Sequence, residues 1–228
     1  MAKISPFLSF VLLLGATCSS GFAFQASTTS EITLADSYLD SFQTKEAIKI
    51  YESLLDPMSE DPMNIHVWIQ LGKAYIQGAR TNDAIIHFQK LRQLSSDYAA
   101  ICAEYILLAR ATGALISEQY EEAIHLFQEY LGINPTYVMA LTRLSRCYLL
   151  TNRPRQALEY ADKALAIDPA QTWVHPVRAD ALIGMERYEE ALASLRIYIS
   201  DSESRGSENR HVQRMRQKAE EIAALLQD

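Results

Sequence analysis

Histidine and cysteine side chains are the first residues to consider for catalysis or metal binding. The 228 residues contain no glycine-rich phosphate loop, no His-Glu-x-x-His pair and no Cys-x-x-Cys pair. The five histidines are scattered: His66, His87, His125, His175 and His211. We interpret them as surface or groove residues, with a metal site built from two of them as the alternative. The sequence therefore predicts no metal site and no cofactor.

Adjacent carboxylates could form a general acid–base pair, and the chain has two such pairs. Glu121-Glu122 and Glu189-Glu190 each come directly before an alanine and an apolar run with helical spacing. Acidic side chains are favoured in the first turn of a helix because they interact with its dipole. Since this placement explains both pairs without catalysis, we predict that the protein is not an enzyme.

Composition and charge limit the class of partner. Hydrophobic residues make up 49% of the chain, and only 8 Gly and 7 Pro are present, which favours a helical globular protein. The formal net charge is −7, so the chain is a poor candidate for nucleic-acid binding. Arg210, Arg214 and Lys218 recur at four-residue steps near the C-terminus. They would either contact an acidic partner or an anionic membrane surface, or form a solvated helix face.

The first residues have the layout of a secretory signal. Lys3 is followed by a short apolar run over 7–14 and by small residues that end at Ala23. We predict a signal peptide over residues 1–23 and a periplasmic or secreted protein, with an uncleaved anchor as the alternative. The surroundings of Cys18 resemble a bacterial lipoprotein signal poorly. No transmembrane segment is predicted in the mature chain.

The mature chain would keep two cysteines, Cys102 and Cys147, both in apolar helical stretches. An exported location permits a disulfide between them, but their spacing does not establish one. We interpret both as buried free thiols that pack like small hydrophobic residues.

One unit recurs along the sequence. The spacing from Ala157 to Ala191 equals the spacing from Ala123 to Ala157, and all three alanines have similar neighbours. Ala84 and Ala47 occupy comparable positions, which makes five copies. Around Ala157, apolar residues recur at three- and four-residue steps on both sides of a break that precedes a proline. Each unit is therefore predicted to be helix, turn, helix and turn.

The second copy contains Trp68, Leu71, Gly72, Tyr75, Ala84 and Phe88. This Trp-x2-Leu-Gly-x2-Tyr and Ala-x3-Phe pattern resembles the tetratricopeptide repeat family. The resemblance implies an all-α α-solenoid, a right-handed superhelix of stacked helix-turn-helix units. The predicted segments are the signal peptide 1–23, repeats 28–61, 65–98, 99–136, 138–171 and 172–205, and a C-terminal capping helix 208–227.

Three local features complete this prediction. Thr28 with Glu31 resembles a capping box that would start the first helix. The third copy has a few extra residues, which we expect between its helices in 111–119. The fifth copy has Arg178 where the family usually has Leu. The capping helix carries an apolar stripe at helical spacing: Val212, Met215, Ala219, Ile222 and Leu226.

The resemblance also implies a binding groove lined by the first helix of each repeat, the A helix. The matching outward positions hold His66, Ile69, Gln70, Lys73, Gln77, Met139, Thr142, Arg143, Arg146, Trp173, Val177 and Asp180. Because Lys73, Arg143 and Arg146 are cations in an acidic chain, the hypothesis is a groove for a partly acidic, partly apolar segment.

The predicted function is that of an exported scaffold which binds a protein or peptide and supports assembly of a complex. Two alternatives stay open at this point. The repeats could self-associate into a homo-oligomer with a structural role, or the protein could be a periplasmic chaperone for exported clients.

Overall fold

A computed structural model describes residues 19–207 and 209–227. Within these ranges the chain forms eleven α-helices and no strand. They are α1 Ser19–Asp40, α2 Thr44–Leu54, α3 Pro62–Gln77, α4 Thr81–Leu94, α5 Ala99–Ile116, α6 Tyr120–Ile133, α7 Val138–Leu150, α8 Pro154–Ile167, α9 His175–Ile183, α10 Tyr188–Ser204 and α11 Arg210–Leu225. The prediction of an all-α fold of helix-turn-helix units is confirmed.

The helices fall into two compact units, one ending at Gly78 and the other beginning at Ala79. In the first unit, α1 packs against α2 and α3, and α2 packs against α3. In the second unit, each helix from α4 to α11 packs against the next. There α5 also contacts α7, and α7 contacts α9, so these alternate helices lie side by side. The A helix of the predicted second repeat belongs to the first unit, and the other helix of that repeat belongs to the second.

The alanine of each predicted repeat lies at a helix contact. Ala47, Ala84, Ala123, Ala157 and Ala191 are all fully buried. Small side chains let two helix axes approach closely, which is why no larger residue occupies these places. In the fourth copy the crossing is also tied by a hydrogen bond, because Ser145 Oγ on α7 donates to the Ala157 carbonyl on α8 at 2.6 Å.

The turn between the paired helices has the same backbone geometry in all five copies. A residue with positive φ lies two positions before the second helix in each case: Phe42, Ala79, Glu118, Asn152 and Glu186. In the fourth copy the next residue, Arg153, donates its N–H to the Tyr148 carbonyl at 2.8 Å. This six-to-one bond with a left-handed residue is the Schellman motif, which ends an α-helix. Each A helix is thus ended by backbone hydrogen bonds even though none of these five residues is glycine.

The N-terminal segment differs from the prediction. The predicted signal peptide, 1–23, and Cys18 lie outside the described residues up to position 18, and positions 19–23 belong to α1. The capping box at Thr28 and Glu31 was wrong, because α1 already begins at Ser19 and both residues are in its interior. No proline or turn separates Ser19 from Thr28, so the helix has no reason to start at Thr28.

The extra residues of the third copy lie within a helix. The turn from Ser117 to Gln119 has three residues, like the turn between α7 and α8. Helix α5 has 18 residues, whereas α7 has 13, so α5 accommodates the additional length. The placement in an inter-helix loop was wrong because residues 111–116 contain no helix breaker strong enough to end α5.

Helix α5 with the short 3-10 turn before it, Ser96–Ile116, is the described segment that is long and apolar enough to span a membrane by length and composition. The sequence prediction overlooked it. In the structure α5 packs against α4, α6 and α7, and its buried residues include Cys102, Leu107 and Leu108. The apolar residues of α5 are therefore explained by packing in the core of the second unit.

Helix α11 covers the end of the second unit. Val212, Met215, Ala219 and Ile222 are buried, and α11 packs against α10. The side chain of Asn209 caps the helix by accepting from the backbone N–H groups of the second and third residues after it. Leu226 is 39% exposed and follows the last helical residue, so the predicted stripe ends one turn earlier.

Candidate functional site

Helices α7, α9 and α11 bring polar side chains together on one side of the second unit. Lys218 Nζ on α11 donates to Asp180 Oδ1 on α9 at 2.5 Å. Arg146 on α7 is exposed and lies close enough to His211 on α11 for the two to interact electrostatically. We call this surface the cap-side face and define it by Arg146, Asp180, His211, Arg214 and Lys218.

The electrostatics of His211 report the charge of the cap-side face. Partial burial and the neighbouring Arg214 lower the pKa of His211. Asp180 acts in the opposite direction, and Arg146 and Lys218 lower that pKa further. Arg214 Nη2 lies 2.9 Å from His211 Nδ1. Three cations and one carboxylate therefore surround this imidazole, which makes the face locally basic on an acidic protein.

Arg146 is a cation of the cap-side face that has no counter-charge among the described residues. Within residues 19–207 and 209–227 it takes part in no hydrogen bond or ion pair. Lys218 is paired with Asp180 and Arg214 contacts His211. Because an exposed, unpaired guanidinium offers five N–H donors, Arg146 is the side chain best placed to take a carboxylate from outside.

Arg143, which the sequence placed beside Arg146 in the groove, has a different environment. Its Nη1 donates to Thr112 Oγ1 at 2.6 Å, and the Thr112 hydroxyl donates to the Leu108 carbonyl at 2.8 Å. Burial lowers the pKa of Arg143 to about 10. This arginine is half-buried and ties α7 to α5, and its role as a groove cation stays a prediction.

Thr142 and Met139 are also less accessible than predicted. Thr142 is buried, and its hydroxyl donates to the Val138 carbonyl of its own helix at 2.8 Å. A short hydroxyl side chain can satisfy its hydrogen bond in this way and be covered by its neighbours. Met139 is half-buried. The outward orientation that the family alignment implied for Thr142 was wrong.

Trp173 and Val177 belong to a hydrophobic cluster. They pack against a core made of Leu141, Ala161, Ala164 and Val174. Trp173 lies in a short 3-10 turn, Thr172–Val174, and its Nε1–H donates to the Gln171 side chain. Both side chains therefore help to join α7, α8 and α9, and neither lies freely in a groove as predicted.

The predicted residues of the first unit lie on α3. His66 is exposed, and its Nε2 lies 3.1 Å from the Asp36 carboxylate on α1. Gln77 Nε2 donates to the Leu39 carbonyl at 3.2 Å. The three others, Ile69, Gln70 and Lys73, are half-buried. His66 and Gln77 therefore hold α3 to α1.

A pocket of about 530 Å³ opens beside the cap-side face, and sequence reasoning missed it. Its lining comes from the C-terminal ends of α7 and α9, the first residues of α8 and α10, and the last turns of α11. The apolar lining residues are Leu149, Pro154, Ile183, Ile222 and Leu225. The available signal was the continuation of the α11 stripe to Leu225, one turn beyond the residues that α11 buries.

Residues 114–169 match the family model described as tetratricopeptide repeat. The structure is also similar to a thermophilic tetratricopeptide repeat protein of Thermus thermophilus, with a TM-score of 0.59 and 15% identity. That similarity covers 86% of this chain and 99% of the other. Residues 114–169 therefore belong to the tetratricopeptide repeat family, and the described helices have the tetratricopeptide fold. The tetratricopeptide fold indicates a scaffold for protein interactions.

Curated proteins similar to this tetratricopeptide repeat chain are much longer. The DnaJ homolog subfamily C member 7 homolog of Schizosaccharomyces pombe is 27% identical over 152 residues, 60% of this chain and 31% of that protein. Superkiller complex protein 3 of Mus musculus is 29% identical over 112 residues, 46% of this chain and 7% of that protein. The chain therefore spans less than a third of the length of these two relatives.

Arg178, the departure from the family pattern, has a clear role in the tetratricopeptide core. Its Nε donates to Asp162 Oδ1 on α8 at 2.6 Å, and its Nη1 donates to Ser194 Oγ on α10 at 2.6 Å. Ser194 is only 1% exposed. The guanidinium thus replaces the usual apolar contact of Leu by polar contacts to both neighbouring helices.

The glutamates and cysteines that the sequence analysis considered for catalysis or metal binding have structural explanations. Glu121 and Glu190 lie in the first turns of α6 and α10, and each pairs with an arginine at 2.6 Å. The Arg187 guanidinium lowers the pKa of Glu190. Cys102 and Cys147 are both buried and free. In the part of the chain that the structure describes, no three His, Cys, Asp or Glu side chains are grouped to hold a metal.

Proposed function

We propose that this tetratricopeptide repeat protein is a scaffold whose cap-side face binds a partly acidic, partly apolar segment of another protein. The observation that carries the proposal is Arg146, an exposed cation without a counter-charge among the described residues. It stands among further cations in a chain whose formal net charge is −7. The hypothesis drawn from the sequence is thereby kept, and it rests here on Arg146 and not on Arg143.

Charge on the cap-side face would mainly affect which partner segment binds and how fast it associates. A single exposed ion pair contributes only about 0.2–1 kcal/mol, so Arg146 alone does not hold a partner. Complementary charge steers a partner to the surface and excludes basic segments. Ionic strength near 0.15 M screens such interactions beyond about 8 Å. We therefore expect partner binding to weaken as salt is added.

The name of one relative is in keeping with a scaffold. Superkiller complex protein 3 is named for a complex, and 46% of the present chain aligns with it. A role in complex assembly is therefore part of the proposal. Self-association and a broad chaperone function remain the alternatives to it.

A charge reversal at Arg146 tests the proposal. The protein and its Arg146→Glu variant are crosslinked in their native compartment, and the captured proteins are compared. The matched control is Arg155→Glu, the same change at an exposed arginine on α8 that is not one of the residues of the cap-side face. The expected result is a discrete partner that wild type and Arg155→Glu capture and Arg146→Glu loses. Equal capture by all three proteins would contradict the proposal.

We also propose that the protein is exported, on the basis of the basic, apolar and small-residue order of segment 1–23. The test is N-terminal sequencing of the protein purified from its source, together with fractionation of the cells. A mature chain that starts after Ala23 in an extracytoplasmic fraction is the expected result. A chain that keeps Met1 in the cytoplasmic fraction would rule out export.

A further inference from the structure

The pocket beside the cap-side face has an apolar interior and a charged rim. Leu149 and Ile183 come from the last turns of α7 and α9, and Ile222 and Leu225 come from α11. At the rim, the charges of Asp180 and Lys218 neutralise each other in an ion pair of 2.5 Å. Glu221 accepts a hydrogen bond from Gln217 at 3.0 Å. A volume of about 530 Å³ lies within the range of about 300–1,000 Å³ that ligand pockets occupy.

The floor of the pocket is tightly packed. A Cβ atom placed on Gly184 would come within 3.0 Å of the Pro154 Cβ, which shows how closely α9 approaches α8 there. The wall formed by α11 is less well covered than the floor. Leu225 in this wall is 62% exposed, although apolar residues make up much of the pocket lining. An apolar group that entered the pocket would remove Leu225 from water, and this burial favours binding.

The position of the pocket relative to Arg146 restricts the kind of occupant. Leu149 is three residues after Arg146 on α7, which is about 4.5 Å along the helix axis at a rise of about 1.5 Å per residue. An extended segment advances about 3.3 Å per residue. Successive side chains of an extended segment point to opposite sides, so one segment places a carboxylate at Arg146 and an apolar side chain in the pocket if the two residues are separated by one residue.

We infer that the pocket takes a large aliphatic side chain of the partner segment, two residues away from an acidic residue that pairs with Arg146. The inference rests on the proposed function and deepens it, because it specifies the chemistry of the segment. The uncompensated cation favours an acidic segment. At the rim, Asp180 and Lys218 neutralise each other and Glu221 is bonded to the neutral Gln217, so the pocket itself disfavours a second carboxylate. An aliphatic residue separated by one residue from an Asp or Glu is the recognition element.

Three synthetic peptides with a fluorescent label serve as probes for this recognition element. The first is Gly-Leu-Ser-Glu-Ser-Gly, the second has Ala in place of Leu, and the third has Gln in place of Glu. Each is titrated with the full protein, and binding is followed by fluorescence anisotropy. We expect the Ala and Gln peptides to bind at least about tenfold more weakly than the first, since each loses one of the two contacts. Equal binding of the Leu and Ala peptides, or no detectable binding of any peptide, would overturn the inference.

A pair of variants separates the pocket from the rest of the surface. Leu225→Glu alters the pocket wall, and Ile133→Glu makes the same kind of change at a residue of α6 that is similarly exposed, 59% against 62%. Leu225→Glu should bind the Leu and Ala peptides equally, whereas Ile133→Glu should still distinguish them. If light scattering shows a wild-type dimer that Leu225→Glu dissociates, a second copy occupies the pocket and the inference is wrong.

The two proposals can fail separately. If Arg146→Glu loses the native partner while Leu225→Glu still distinguishes the Leu and Ala peptides, the cap-side face binds but the pocket is not the aliphatic site. If Arg146→Glu captures the partner as well as wild type does, the proposed function fails, whatever the peptides show.

Discussion

The ammonium group of Lys218 lies 2.5 Å from the Asp180 carboxylate and joins helix α11 to helix α9. Both side chains are about a third exposed or more, so solvent screens the pair and its contribution is modest. We expect Lys218→Ala to lower the free energy of unfolding in urea by about 0.2–1 kcal/mol, and this loss should shrink at high salt. Arg214→Ala, which removes a cation of the same helix that contacts His211, is the control. An equal loss from both variants would mean that the pair has no specific role.

The link from Arg178 to the buried hydroxyl of Ser194 predicts a larger effect. Arg178→Ala should lower the free energy of unfolding by about 1–3 kcal/mol, because the Ser194 hydroxyl would lose its partner in the core. The double variant Arg178→Leu with Ser194→Ala should recover most of that loss, since both polar partners are then replaced by apolar groups. Arg187→Ala, which breaks an exposed pair, should leave the urea midpoint close to that of wild type. A double variant as unstable as Arg178→Ala would contradict this explanation.

Glu186 has a φ of 59°, which strains a residue that carries a Cβ atom. The left-handed conformation costs such a residue about 1–2 kcal/mol, and glycine avoids it at an entropic cost of about 0.5–1 kcal/mol. Glu186→Gly should therefore raise the free energy of unfolding by about 0.5–1 kcal/mol. Glu189→Gly, the same change inside the first turn of α10, should destabilise the protein instead. Thermal melts of the two variants give the comparison, and a shift of both in the same direction would refute it.

Burial raises the pKa of the Cys147 thiol from its ordinary value of 9.0 to about 12. Because the pKa of this thiol is higher in the folded protein, the thiol ionises at a lower pH in the unfolded protein than in the folded one. Its contribution to stability is therefore complete below pH 9 and is lost as the pH rises toward 12. We expect Cys147→Ala to show a shallower loss of stability over this interval in urea titrations. At pH 8 the Cys147 thiol should react with a thiol reagent only after the protein unfolds, and rapid labelling of Cys147 in the native state would contradict the burial.

The repeat positions were predictable because the sequence repeats them. The five buried alanines were found from their nearly regular spacing, since a small residue is required wherever two helices cross closely. The start of α1 could not be found in this way. Thr28 has the composition of a cap, but a helix begins there only if the preceding residues are not helical, and they are.

The site was predicted less well than the fold. Alignment assigns a residue to a helix face, but it does not report what covers that face. Thr142 is covered, Trp173 packs on a cluster, and Arg143 bonds to the distant Thr112. Arg146 differs from these residues because it is exposed and no described neighbour pairs with it. The pocket was missed because its lining comes from five helices, and the α11 stripe that continues to Leu225 is only one of its walls.

The recurring left-handed residues at the helix junctions have a consequence for the evolution of the chain. Asn152 and Glu186 hold the same place in two consecutive modules and share the same local backbone shape. If the segment between Asn152 and Glu186 were deleted or duplicated, the chain would be rejoined within a turn of the same backbone shape. No new loop would therefore be needed. Proteins built from such repeats can therefore gain or lose whole repeats. Each remaining helix pair then keeps the backbone hydrogen bonds that end its first helix.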